Sequence, residues 1–143
     1  MIIKGTHTVA APAVRVFARL RDPAILQQCI SGCEKMEKIG EDDYAALLKL
    51  GIGSIKGSYT GRVKLTDPLP PNKFTLGLNG QGGPGFVKGT AIIELSAEGE
   101  ATHISYTADV QVGGLIAAVG SRMIEAAAKK LAGEFFRAFA AVV

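Results

Sequence analysis

The sequence predicts an α+β domain in which a curved, seven-stranded antiparallel sheet wraps one long C-terminal helix, with two short helices after the first strand. Three observations carry this. Apolar residues alternate at period two through a series of segments separated by turn residues, the pattern of an antiparallel meander. After Gly113-Gly114 the apolar period becomes helical and stays so to the C-terminus. Between the first strand and the meander, Pro12 and Pro23 punctuate two short helical patterns.

Residues 2–9 form the first strand, with Ile3, Gly5, His7 and Val9 on one side and Lys4, Thr6 and Thr8 on the other. Ala11-Pro12 ends it. Pro12 suits a first helical turn, and Val14, Phe17 and Ala18 define a helix that stops near Asp22-Pro23; a second runs over 23–30 and ends at Gly32. Six strands follow at 34–39, 44–50, 55–66, 74–78, 86–95 and 103–112. Their connectors are 40–43, Gly51-Ile52-Gly53, 67–72, 80–85 and 97–101. All are short and none marks a boundary, so the 143 residues are expected to form one domain over 1–143, a size that buries a core without disulfide or metal. Ile116, Val119, Met123, Ala127, Leu131, Phe135 and Phe139 then form one helical stripe opposite Arg122, Glu125, Lys129, Lys130 and Glu134. A continuous helix over 115–140, at about 1.5 Å per residue, reaches roughly 40 Å and crosses the whole sheet.

Composition excludes several classes of function. The net charge of +3 comes from scattered Lys and Arg with no aromatic residues interleaved, which is not a nucleic-acid platform. No apolar stretch is long enough for a membrane span and no secretory leader pattern opens the chain, so a cytoplasmic protein is expected, with peripheral membrane contact left open. Cys29 and Cys33 have neither zinc nor thioredoxin spacing and read as buried thiols. Gly80-Gln81-Gly82-Gly83-Pro84-Gly85 is followed by a strand, with no Lys-Ser/Thr, so it reads as a flexible hairpin tip at a cavity mouth rather than a phosphate loop. No cofactor or metal is called for.

The side of the sheet turned to the helix is unusually empty. The 55–66 strand sends inward Ile55, Gly57, Tyr59, Gly61, Val63 and Leu65; the next, Phe74, Leu76, Leu78 and Gly80. The last two add Val87, Gly89, Ala91, Ile93 and Leu95, then Ile104, Tyr106, Ala108, Val110 and Val112. Glycine within a strand weakens it, so an inward row containing Gly57, Gly61, Gly80 and Gly89 asks for a reason. Large helix side chains such as Met123, Phe135 and Phe139 fill the space, the glycines serve bending of the sheet, or a cavity remains for an apolar ligand.

The residues expected to line such a cavity are His7 and Tyr44; Gly57, Tyr59 and Gly61; Leu76 and Leu78; Gly89 and Ala91; Tyr106 and Ala108; and Ile116, Val119, Met123 and Ala127 on the helix. The inward polar groups are His7, Tyr44, Tyr59 and Tyr106, with no inward carboxylate, Lys or Arg. That is a poor set for general acid–base chemistry, which uses a titratable pair. The reading is of a binding module for a lipophilic small molecule, without catalytic residues, rather than an enzyme.

Several segments together carry a family resemblance: Asp22-Pro23; Cys29-Ile30-Ser31-Gly32-Cys33-Glu34; Gly40-Glu41-Asp42-Asp43-Tyr44; Gly57, Tyr59 and Gly61; Gly80-Gln81-Gly82 leading to Phe86-Val87-Lys88-Gly89; Tyr106; and Val112-Gly113-Gly114-Leu115-Ile116-Ala117 through Gly120-Ser121-Arg122. The chain resembles the carbon monoxide dehydrogenase G-subunit proteins of the START-like (SRPBCC), polyketide-cyclase-like superfamily over essentially its whole length. The resemblance implies a helix-grip fold, a sheet gripping the C-terminal helix over a ligand cavity. It also implies an accessory role beside a molybdenum hydroxylase such as carbon monoxide dehydrogenase, in tethering it to a membrane or delivering a lipophilic quinone. The chain departs from the family at Ser31, where Pro is more usual, and at His7, where the family generally has an apolar aromatic residue. Many members also continue past the helix into a linker and membrane-anchoring tail, whereas this sequence ends at Val143. Two alternatives stay open: a cyclase- or aromatase-like enzyme working through His7 or Tyr106 in the same cavity, and a structural partner docking through its surface.

Overall fold

A computed structural model describes residues 1–52 and 55–143, and of Ile52 and Ile55 only the backbone. The turn expected at Gly53 and the inward place of the Ile55 side chain therefore lie outside the described residues. The element order is β1 (Ile2–Val9), α1 (Ala13–Arg19), α2 (Pro23–Cys29), β2 (Cys33–Gly40), β3 (Asp43–Ile52), β4 (Ile55–Leu69), β5 (Lys73–Gly82), β6 (Gly85–Glu98), β7 (Ala101–Gly113), a 3-10 turn (Gly114–Val119) and α3 (Ser121–Val142). One antiparallel sheet runs β1-β7-β6-β5-β4-β3-β2. The predicted fold class is the observed one, and several strands are longer than their alternation alone suggested because the hairpins between them are tight.

Short-range chemistry sets the helix ends. Asp22 caps α2, its side chain accepting from the Ala24 N–H at 3.0 Å with Pro23 in the first turn. In α1 the buried residues are Val16 and Phe17, whereas Val14, expected inside, is 71% exposed. The α1–α2 corner is tied to the sheet by Tyr44, whose hydroxyl donates to the Arg21 carbonyl at 2.6 Å, and by the Arg21–Asp42 ion pair.

The single helix expected over 115–140 is in fact two elements. Gly120 interrupts it at φ 91°, a left-handed conformation that costs glycine little. The break resets the phase of the stripe. Counting on from Ile116 and Val119 leads to Met123, which is 52% exposed; Ile124 takes the buried place, with Phe136 and Phe139 further along.

The concave side divides into a packed half and an open half. Toward the C-terminal end of α3, Phe136 and Phe139 close on Phe17, Phe74, Ile93, Leu95 and Ile104. There His7 stacks on Phe136 at 4.3 Å. Toward its N-terminal end a smaller cluster of Tyr59, Ile116 and Ile124 stands apart. The helix packs mainly on β1, α2 and the 3-10 turn, and Ser31 Oγ donates to Glu134 at 2.6 Å to hold it there. Against β4 the helix packs through Ile124 on Tyr59, and it makes few other contacts with β3 or β4 among the described residues.

Candidate functional site

Register alone explains where space remains. One transverse row of inward positions reads Met36, Ala46, Gly61, Gly80, Val87, Val112 across β2 to β7. Its centre is the directly opposed pair Gly61–Gly80, so two adjacent strands present bare backbone. A Cβ on Gly61 would come no closer than 3.7 Å to the Asn79 carbonyl and 4.0 Å to Leu48; one on Gly80 would meet only the Thr60 carbonyl at 3.8 Å. Neither glycine is needed for its backbone conformation, and neither is filled by a neighbour.

Over this row lies a partly open cavity of about 390 Å³. The sheet contributes Ile3, Met36, Ala46, Leu48, Leu50, Val63, Val87, Val110 and Val112, besides Tyr59, Leu78, Tyr106 and Ala108; Ile30 closes one side. The roof is Ile116, Ile124, Ala127, Ala128 and Leu131. Arg62 and Asn79 border it beside the two glycines, but they alternate to the other face of the sheet, where the Arg62 guanidinium pairs with Asp43 at 3.1 Å. Ala46, Leu48 and Leu50 on one side and Ala127, Ala128 and Leu131 on the other are half-buried, so the cavity opens between β3 and α3.

The expected lining residues separate cleanly. Tyr59, Gly61, Leu78, Tyr106, Ala108, Ile116 and Ala127 all border the cavity. His7 is in the aromatic stack, Tyr44 is spent on Arg21, and Leu76 and Ala91 belong to the packed half. Val119 packs behind Ile116 and Ile124, and Met123 faces solvent after the phase change at Gly120. Gly57 has φ 146° and lies under Pro84, with 3.0 Å from an added Cβ to that ring. Gly89 leaves no room for a ligand: an added Cβ would fall 2.1 Å from the Asp109 carbonyl of β7. The glycine there permits strands to approach, and Gly89 borders a shallow groove on the outer face instead. The 80–85 tip is fastened rather than free, the Ile116 N–H donating to the Pro84 carbonyl at 2.9 Å.

Sequence reasoning did not nominate the β3 wall, Ala46, Leu48 and Leu50, nor Ile124 and Ala128. The alternation in β3 was the available signal for the first set, since Tyr44 had already fixed which face points inward.

Two phenols supply the polarity of the cavity. Each faces a glycine on the neighbouring strand. Tyr106 sits opposite Gly5, where an added Cβ would be 2.4 Å from its hydroxyl, and Tyr59 sits opposite Gly82, where an added Cβ would meet the Ser58 carbonyl at 2.3 Å and the edge of the Tyr59 ring at 3.1 Å. Burial pushes both phenols above their ordinary pKa, with Lys129 pulling Tyr106 back in part. The Tyr59 hydroxyl is buried and has no hydrogen-bond partner among the described residues. An unpaired buried hydroxyl costs roughly 1–3 kcal/mol. Burial likewise raises the Cys29 and Cys33 thiols, and no group of three or more His, Cys, Asp or Glu is placed to hold a metal among the described residues. No described helix is long and apolar enough to cross a membrane.

The family model for the carbon monoxide dehydrogenase G subunit (CoxG) matches residues 5–143. Comparison with the curated proteins finds no match. Among solved structures, a conserved protein from Geobacillus kaustophilus is 40% identical, with a TM-score of 0.93 over 98% of this chain and 93% of that one. A START superfamily protein from Mycobacterium smegmatis is 16% identical, with a TM-score of 0.79 over 98% and 94%. The Zhui aromatase/cyclase from Streptomyces sp. R1128 is 20% identical, with a TM-score of 0.71 over 99% and 92%. These last two likenesses are of fold.

Proposed function

Because the chain belongs to the CoxG family, that of the carbon monoxide dehydrogenase G subunit, we propose that it is a noncatalytic carrier of a compact lipophile, a quinone being the expected class. In this reading it serves as accessory to a molybdenum hydroxylase such as carbon monoxide dehydrogenase. It works in the cytoplasm, meeting the membrane peripherally.

The observation that carries this reading is the aliphatic cavity over the bare Gly61–Gly80 backbone. Its volume of about 390 Å³ is at the lower end of the roughly 300–1,000 Å³ of small-molecule sites. It suits a one- or two-ring headgroup, and a longer tail has to leave through the opening between β3 and α3. The lining also favours holding over turnover. Among the described residues, the titratable side chains that line the cavity and face inward are the Tyr59 and Tyr106 phenols, both made weaker acids by burial, and the lining includes no carboxylate, imidazole or amine to accept a proton.

Calorimetric titration with menadione, a two-ring quinone without a tail, tests the reading together with native mass spectrometry of freshly purified protein. Saturable one-to-one binding is expected, as is faster reduction of membrane quinone by carbon monoxide dehydrogenase when the protein is added. Absence of any lipophile binding, with partner association intact, would leave a docking protein and overturn the carrier.

A further inference from the structure

We infer that Tyr59 is the polar anchor of the cavity: its hydroxyl donates a hydrogen bond to a carbonyl oxygen of a planar lipophile lying on the bare backbone of Gly61 and Gly80. This rests on the carrier reading and adds which ligand chemistry the cavity selects and which residue selects it.

Three features converge on Tyr59. Its hydroxyl is fully buried and unpartnered among the described residues, although Tyr59 itself is only 5% exposed and has no solvent to turn to. Buried phenols ordinarily find a partner, and one left without a partner at the wall of a ligand-sized cavity awaits an acceptor from the ligand. The ring has neighbours on both sides. Its edge lies beside Gly82, its cross-strand partner, and it is covered by Ile116 and Ile124. Finally, Tyr59 and Gly61 are successive inward residues of one strand, about 7 Å apart. A flat ring system on the Gly61–Gly80 patch therefore has an edge beside the phenol.

The phenol acts as donor. It is neutral, since burial favours its protonated form, and an O–H with no acceptor is the group left wanting. A hydrocarbon of the same shape fills the cavity but leaves that O–H unpaired, so the site discriminates ring ketones and quinones from their hydrocarbon skeletons. Tyr106 is differently placed. Its hydroxyl lies against the Gly5 backbone at the sheet edge, and its ring runs parallel to Phe136 and His7.

The test compares menadione with 2-methylnaphthalene, the same two-ring skeleton without carbonyls, on the wild type and Tyr59→Phe. The wild type is expected to prefer menadione. Tyr59→Phe should lower menadione affinity about ten-fold, leave 2-methylnaphthalene unchanged, and return the carbonyl stretch of bound menadione toward its unbonded frequency in infrared difference spectra. Its melting temperature should not fall, because the lost hydroxyl has no partner in the free protein. Equal effects on both probes, or none on either, overturn the anchor while leaving the carrier standing. A clear fall in melting temperature shows the hydroxyl already partnered and also overturns it. If neither probe binds the wild type, the carrier reading fails and the anchor falls with it.

Discussion

Gly61→Leu separates a real void from a packed core. An added Cβ at Gly61 makes only ordinary contacts, at 3.7 Å or beyond, and the rest of the side chain points into the cavity. Four buried carbons at about 0.8 kcal/mol each give roughly 3 kcal/mol if fully enclosed. The cavity is partly open, so about half of that is realistic. Removing a strand glycine contributes about 0.4–1 kcal/mol through the unfolded chain, and freezing the leucine rotamers takes back about 0.5–1. The net expectation is a stabilisation of about 1–2 kcal/mol, or roughly 3–8 °C in melting temperature for a domain of this size. Menadione affinity should fall at least ten-fold in the same variant, measured by calorimetry. A destabilisation of about 1–3 kcal/mol, the usual cost of overpacking, would refute the void and with it the room for a ligand.

The remaining expectations concern the neighbouring structure. Gly89→Ala should destabilise by about 1–3 kcal/mol in chemical denaturation, because its Cβ meets the Asp109 carbonyl rather than empty space. Met123→Ala should change stability by less than about 0.5 kcal/mol, while Ile124→Ala should cost about 2 kcal/mol or more; equal effects would contradict the helix phase set by Gly120. Burial holds the His7 imidazole below its ordinary pKa of 6.5, so the unfolded chain takes up the proton first. The stability this represents is complete above about pH 6.5 and is lost as pH falls below it toward the folded-state value. His7→Phe, which keeps a ring against Phe136, should flatten the fall in melting temperature between pH 7 and pH 5; an unchanged slope would assign that fall to other groups.

Strand alternation made the sheet legible because one face is buried and the other wet, so each slip in register would expose Ile93, Leu95 or Ile104. The helix was less so. A period of 3.6 counted across Gly120 assumes a continuous backbone, and a single residue at φ 91° ends that continuity without changing the apolar content of the segment. Met123 and Val119 were therefore placed on the cavity, while Ile124, one residue past Met123, lines it.

The inward glycines show where reading one strand at a time runs out. Taken singly, Gly57, Gly61, Gly80 and Gly89 look alike, each a missing side chain on an apolar face. The residue across the strand distinguishes them. Gly5 faces Tyr106, whose ring lies on it; Gly82 faces Tyr59, with the β4 backbone pressed against it and the ring edge beside it; Gly89 faces Val110 with the β7 backbone pressed against it; Gly57 lies under Pro84. Only when β4 and β5 are brought into register does Gly61 meet Gly80, glycine against glycine with neither ring nor backbone to cover them. The cavity is thus a property of a pair 19 residues apart, and the hairpin register that creates it also sets Tyr59 against Gly82 beside it.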